Sequence, residues 1–212
     1  MRDIPIFSTV NGAATLILSK VPYTKEAYID IKGCSCLDAF IDECRSFCVM
    51  AGATQVYAAG DDALEQYTMH CCMAEMCCCK EMLPKTEAIL RPVDSDSLEA
   101  WLSIYNDKMR DIPAAARLSV ADGRQLVSTG KAYYIFERGQ MIGIGVAGND
   151  TIEAIASLCP GKGGAVLCAL TGVLNSEEIF LRVSTANERA MRLYTRLGFK
   201  KTGISKCWYE IL

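Results

Sequence analysis

The chain predicts an α/β fold in which helices flank a mixed sheet. Three observations carry this reading. Short runs rich in β-branched and aromatic residues alternate with longer segments whose apolar positions recur at helical spacing. Glycine, proline and small polar residues punctuate the boundaries between them. The 212 residues are 51% hydrophobic and 22% charged, enough to bury a core in one sizeable domain or two small ones.

Composition also narrows the partners. The formal net charge is −3, with no basic excess of the kind that nucleic acid or an anionic membrane surface requires. No apolar run approaches the roughly 18 residues of a membrane-spanning helix. The N-terminal stretch MRDIPIFSTVNGAATLIL carries Asp3, Pro5 and Asn11 and no clear cleavage signal, so a secretory leader is not expected. A cytoplasmic protein without nucleic-acid or membrane partners is the expectation. Nothing in the sequence sets an oligomeric state, a homodimer included.

Taken in order, two strands are expected near residues 13–20 and 27–32, joined by the turn VPYTKE. A helix from about Cys36 to Met50 follows, stopped by Gly52. TQVYAAG reads as a strand. The segment DDALEQYTMHCCMAEMCCCKEML reads as helical, ending before Pro84, and TEAILRPV as another strand. Pro92 and VDSDS form a joint. Asp94 to Ser97 then supply N-cap residues for a helix from Leu98 to about Arg110, with a second helix from about Val120. KAYYIFERGQMIGIGVAG is a hairpin turning at Arg138-Gly139. TIEAIASL is a strand, PGKGG a tight turn and AVLCALTGVL a buried helix. The strand EIFLRVS, a helix from Asn187 to Leu197 and a last strand in KCWYEIL complete the chain.

Twelve cysteines admit disulfides, metal ligands or core thiols. Disulfide-built domains are usually shorter and less apolar, and paired C-x2-C units are lacking. Leu37, Phe40, Ile41, Cys44, Phe47 and Cys48 fall on one helical stripe, which makes Cys44 and Cys48 small hydrophobes. Met69, Cys72, Met73, Met76, Cys79 and Leu83 suggest a second stripe. Reduced thiols are therefore expected, and His70, the one histidine, is the sole imidazole for any Cys/His metal site or cysteine nucleophile.

LCPGKGGAVL sets Gly161, Lys162, Gly163 and Gly164 between a strand and an apolar helix. Glycines there let the backbone approach a ligand, and the N–H groups of a helix start can cradle a phosphate, with Lys162 adding charge at the rim. The spacing is neither a P-loop nor G-x-G-x-x-G, and a simple tight turn accounts for it equally well. The segment LRVSTANERAMRLYTRLGF adds V-x-x-x-N-x-x-A-x-x-x-Y-x-x-x-G-F through Val183, Asn187, Ala190, Tyr194, Gly198 and Phe199.

Together these segments resemble the GNAT superfamily of acyl-CoA-dependent N-acyltransferases, over roughly residues 93–212. The family's loop is usually [RQ]-x-x-G-x-[GA]. Gly163 and Ala165 match it, while Pro160 replaces the arginine or glutamine. The resemblance implies a mostly antiparallel GNAT-like sheet flanked by helices, and an N-acetyltransferase moving acetyl from acetyl-CoA to a primary amine of a small molecule or peptide. Direct transfer through a tetrahedral intermediate is implied, with no metal. It implies that the strands IEAIASL and FLRVS splay to admit the pantetheine arm. Ser157, Leu158, Gly161, Lys162, Gly163, Gly164, Ala165, Val166 and Asn187 would then bind acetyl-CoA, a backbone N–H of IASL would hold the oxyanion, and Tyr194 would protonate the leaving sulfur. Glu153, which alternation sets on one face with Ile155 and Ser157, stands where several members place the base. Tyr105, Asn106, Asp107, Met109 and Arg110 fall where the acceptor cleft is shaped. Residues 1–92 read as a smaller α/β segment before an acetyltransferase domain at 93–212: a degenerate, non-catalytic half of the same fold, an unrelated α/β module, or part of one larger domain. Two other readings stand beside this one: a non-catalytic acyl-CoA-binding or regulatory protein, and a thiol-rich metal or redox module.

Overall fold

The structure is a computed structural model that describes residues 1–212. In chain order the elements are β1 (Ile4–Ser8), β2 (Gly12–Ile17), α1 (Val21–Thr24), β3 (Glu26–Cys34), α2 (Leu37–Met50), β4 (Gln55–Ala59), β5 (Met69–Cys79), β6 (Ile89–Pro92), α3 (Leu98–Met109) and α4 (Val120–Ser128). They continue with β7 (Ala132–Glu137), β8 (Gln140–Gly148), β9 (Thr151–Ser157), α5 (Gly163–Leu170), β10 (Glu178–Ser184), α6 (Glu188–Arg196) and β11 (Lys200–Glu210). The chain forms two compact units. One comprises Met1–Met73, Arg110–Arg117 and Ile204–Leu212, and the other Ala74–Met109 and Leu118–Gly203. Both units are discontinuous in sequence, and β5 and β11 are each divided between them.

The first unit orders its strands β1-β2-β3-β4-β11-β5. Its core is packed by α2, whose buried Phe40, Ile41, Cys44 and Cys48 form the expected stripe against Leu16, Ile29, Ile31 and Val56. A second cluster joins Tyr28, Tyr57, Cys71 and Trp208. The segment 110–117 is held here by three contacts. Lys20 Nζ donates to the Ile112 carbonyl at 3.0 Å, the Ala114 N–H to the Tyr28 hydroxyl at 3.1 Å, and the Arg117 guanidinium lies 3.9 Å from the Tyr23 ring centroid. His70 stacks on Tyr57 with ring centroids 3.8 Å apart, and burial pulls its pKa down.

The second unit orders its strands β11-β5-β10-β9-β8-β7-β6. β6, β7, β8 and β9 form successive antiparallel ladders, and the β7–β8 turn places Arg138 and Gly139 at positive φ, as a two-residue hairpin requires. Ser119 and Asp122 close a capping box that starts α4. Val166, Leu167 and Leu170 of α5 pack with Ile179, Leu181 and Val183 of β10 and with Tyr194 and Phe199. Gly143 and Gly145 of β8 allow α5 to sit close: a Cβ on either would collide with Val166 or Leu170.

The sequence reading needs four corrections. The cysteine-rich segment is not a helix. Residues 69–79 form β5, in which Cys72, Ala74, Met76 and Cys78 are buried while Met73, Glu75, Cys77 and Cys79 are more exposed. Methionine and cysteine are permissive enough to satisfy a helical stripe on paper, but the observed burial has period two. The thiols are not all reduced, because Cys72 and Cys207 form a disulfide. β1 was unforeseen, its Pro5 being tolerable because β1 lies at a sheet edge. The last strand begins at Lys200, six residues before KCWYEIL opens at Lys206, and so takes in KKTGIS as well.

Candidate functional site

The C-terminal end of β9 and the start of α5 build the site's first part. Gly161 takes φ +79, the left-handed conformation that turns the strand into the helix. Lys162 occupies the N-cap position with no side-chain cap. The Val166 N–H reaches the Lys162 carbonyl at 3.0 Å, so it is the first with an intrahelical acceptor. The N–H groups of Gly163, Gly164 and Ala165 are thus the unclaimed donors of the first turn, at the positive end of the helix dipole. Three unclaimed donors fit a phosphate group.

The second part is a gap. β9 and β10 run parallel, and their register consists of Phe180↔Thr151 and Leu181↔Ile152. β9 continues to Ser157 and β10 to Ser184 beyond that point. On its other edge β9 is paired with β8 through Ser157↔Gly143, and the Leu158 N–H donates to the Ile142 carbonyl at 2.8 Å. In an antiparallel ladder, alternate residues turn their backbone groups toward the partner. Leu158, Ala156 and Ala154 therefore face β8, which leaves the N–H and C=O of Ile155 and Ser157 facing the opened side. An extended chain carrying amides matches such an edge.

α6 supplies the third part. Asn187 is its N-cap, its Oδ1 accepting from the Ala190 N–H at 3.1 Å. At the other end Gly198 takes φ +96, and the Phe199 N–H returns to the Tyr194 carbonyl at 3.0 Å. That closure brings the Phe199 ring to 5.9 Å from the Tyr194 ring. Much of the N-x-x-A-x-x-x-Y-x-x-x-G-F pattern is thus a folding signal: a cap, a stop and an aromatic contact. Tyr194 is buried, and burial pushes its phenol up to about 12.

The remaining expected residues fall as follows. Ser157 donates its hydroxyl to the Cys159 carbonyl at 2.8 Å. Lys162 is paired with Glu137 of β7, so its charge is not free at the rim. Val166 is fully buried in the core. Glu153 pairs with Lys131 at 2.8 Å and is 42% exposed. A register shift between Val146 and Ala147 interrupts the β8–β9 ladder at Glu153, so strict alternation fails there. Ile155 packs with the α5 core, whereas the charge of Glu153 reaches Tyr105 of α3, whose phenol burial raises to about 12. Tyr105 and Met109 are buried, and both polar ends of the Asn106 side chain bond Leu118, at 3.0 and 2.9 Å. No three His, Cys, Asp or Glu side chains stand together as a metal-ligand group, and no helix is long and apolar enough to cross a membrane.

Sequence reading missed two residues that pair with expected ones, Glu137 and Lys131, and one orphaned polar group near the opened strands, Ser184. Ser184 ends β10, is 3% exposed, and has a hydroxyl without a hydrogen-bond partner. None carries a motif.

No protein-family model matches the chain, and no curated protein matches it. Solved structures do. A GCN5-related N-acetyltransferase from Kribbella flavida matches with a TM-score of 0.56 at 14% identity, covering 97% of this chain and 89% of that one. A functionally unknown conserved protein from Staphylococcus epidermidis gives 0.54 at 13%, covering 96% and 92%. A tandem GNAT protein from the clavulanic acid biosynthesis pathway gives 0.52 at 13%, covering 94% and 79%. The chain has a GNAT-like fold, with a mixed, mostly antiparallel sheet flanked by helices.

Proposed function

We propose that this protein is an N-acyltransferase that moves an acetyl group from acetyl-CoA to the primary amine of a small molecule or peptide. The observation that carries the reading is the β9–β10 ladder, which ends at Leu181↔Ile152 beside the uncapped start of α5. Diphosphate donors at the start of α5 therefore follow directly on the open edge of β9, as a nucleotide with an amide-bearing arm requires.

In this reading the N–H groups of Gly163, Gly164 and Ala165 bind the diphosphate, and the backbone of Ile155 and Ser157 pairs with the arm. The Asn187 oxygen caps α6, which leaves its amide nitrogen to donate to an arm carbonyl. The Ile155 N–H is placed to stabilise negative charge on the thioester oxygen during attack. The amine nitrogen bonds the carbonyl carbon as the carbon–sulfur bond breaks. Glu153 takes the amine's proton, directly or through water, and Tyr194 gives its proton to the departing sulfur. With its phenol near 12, Tyr194 is a much weaker acid than a thiol near 8.5. Its proton moves only in concert with carbon–sulfur cleavage, so hydrogen bonding to the developing thiolate is its main contribution.

The test is an amine panel with acetyl-CoA, read as free-thiol release and acetylated product. Turnover with at least one primary amine is expected. Saturable binding of acetyl-CoA without acceptor-dependent release across the panel would instead identify a binding protein.

A further inference from the structure

Cys34 and Cys36 lie two positions apart where β3 hands the chain to α2, in the first unit. Both are free thiols, Cys36 exposed and Cys34 partly buried. The other cysteines are placed differently. Cys44 and Cys48 are buried in the α2 core, where burial pushes both thiols up to about 12, and such thiols are inert. Cys77 and Cys79 repeat the spacing, but inside β5. A regular strand holds side chains at i and i+2 parallel and roughly 6.6 Å apart, beyond the Cβ separation of about 3.5–4.5 Å that a disulfide needs. β3 instead ends at Cys34, and the chain bends through Ser35 and Cys36. The bend lifts that restriction, so Cys34 and Cys36 can close on one another.

The surroundings give the two thiols different parts. The Ser35 N–H donates to the Asn11 carbonyl at 2.8 Å, and the Asn11 amide donates to Glu43 of α2 at 2.8 Å, which fixes the bend. Gly60, at φ +103, passes so close to β3 that a Cβ there would overlap the Ile31 carbonyl oxygen. That approach sets Asp61 beside the inner thiol. Its Oδ1 accepts from the Ala63 N–H at 2.9 Å, and its Oδ2 accepts from the Cys34 thiol at 3.4 Å. Burial, that hydrogen bond, and the charges of Asp61 and Cys36 all push the Cys34 pKa up. Cys34 is thus a protonated thiol held against a proton acceptor. Cys36 is the N-cap of α2, with no side-chain cap bond, at the helix end where negative charge is favoured.

We propose that Cys34 and Cys36 are a redox-active dithiol that exchanges with low-molecular-weight disulfides, with Asp61 as the base for Cys34. The Cys36 thiolate, its proton lost to water, bonds one sulfur of the disulfide. The disulfide's S–S bond breaks, and its other half leaves as a thiolate. Cys34 then gives its proton to Asp61 and attacks the Cys36 sulfur. A Cys34–Cys36 bond forms, and the second half departs as a thiolate. The protein dithiol loses two electrons and the small disulfide gains them; an added dithiol reverses the exchange. This activity is independent of acyl transfer.

The experiment incubates reduced wild type, Cys34→Ser, Cys36→Ser and Asp61→Asn with glutathione disulfide. Each is quenched with an alkylating agent, and mass spectrometry reads the state of every cysteine over time. Wild type should end with Cys34 bridged to Cys36 and no retained glutathione, and dithiothreitol should restore both thiols. Cys34→Ser should accumulate glutathione on Cys36. Cys36→Ser should take it up on Cys34 at least about tenfold more slowly. Asp61→Asn should load Cys36 at the wild-type rate but form the bridge at least about tenfold more slowly. Should it fail to fold, Asp61→Ser, which keeps an oxygen for the Ala63 N–H, carries the same comparison. A lasting glutathione adduct on wild-type Cys36 overturns the proposal. So do unreacted Cys34 and Cys36 under excess glutathione disulfide, or a Cys77–Cys79 bridge that forms as fast. Bridge formation at the wild-type rate in the Asp61 variant overturns the part given to that residue.

Discussion

Leu181 and Ile152 form the last paired rung between β10 and β9, only one residue beyond Phe180↔Thr151. The parallel ladder of the first unit makes the meaning of this plain. There β3 and β4 stay in register through five pairs, from Glu26↔Gln55 to Asp30↔Ala59. The helix between them starts at Leu37, after an extended N-cap Cys36, with no left-handed glycine before it. One chain therefore contains a closed parallel pair and an opened one; neither helix start has a side-chain cap, and only that of the opened pair is glycine-rich. Leaving strand edges unpaired is unfavourable unless something else satisfies them, so the opened pair is the place to look for a ligand.

Tyr194→Phe removes the phenol and keeps the ring contact with Phe199. Turnover should fall roughly 100-fold with acetyl-CoA binding within about twofold of wild type. Because burial lifts the phenol to about 12, its neutral form persists across the assayable range. In wild type, kcat/KM should rise with pH as the amine loses its proton and show no falling limb up to about pH 10. Undiminished turnover in the variant removes Tyr194 from the chemistry.

Asn187 separates folding from binding. Asn187→Asp keeps an oxygen to cap the Ala190 N–H, whereas Asn187→Ala loses it. Thermal denaturation should show Asn187→Ala destabilised by about 1 kcal/mol and Asn187→Asp near wild type. Both lack the amide donor, so both should bind coenzyme A several-fold more weakly. Wild-type affinity in Asn187→Asp would leave the residue a cap and nothing more.

Glu153→Gln keeps the shape of the side chain and removes its charge. A base at this position predicts kcat/KM lower by at least tenfold, a shifted acid limb in the pH profile, and unchanged coenzyme A binding. If the residue serves only its ion pair with Lys131 on an exposed surface, rates and pH profile will match wild type and stability will change by less than about 1 kcal/mol.

The Cys72–Cys207 disulfide is countable. Denatured, unreduced protein should titrate ten free thiols, rising to twelve after reduction. Cross-linking positions 135 residues apart should stabilise the fold by roughly 2–4 kcal/mol, so Cys72→Ser should melt at a lower temperature than wild type and be insensitive to reductant. Twelve thiols before reduction would show the bridge to be missing.

Most of the second unit was legible because local signals there agree with the tertiary outcome. The Ser119 cap, the Arg138-Gly139 turn and the Gly198 stop each act within a few residues. Met69 to Cys79 misled for the opposite reason: soft, small side chains fit either period, and β5 exists because β10 and β11 flank it. The same limit hid the site's supporting residues. Glu137 and Lys131 become visible only once β7 to β9 are aligned. The motif itself was readable, but its spacing specifies how α6 starts and stops as much as what it binds.

Amide hydrogen exchange with and without saturating coenzyme A tests the central claim most directly. The account predicts slowed exchange on ligand addition at Ile155, Ser157, Gly163, Gly164 and Ala165, with the β3–β4 ladder of the first unit unchanged. Unaltered exchange at those five amides, under conditions where coenzyme A is bound, would contradict it.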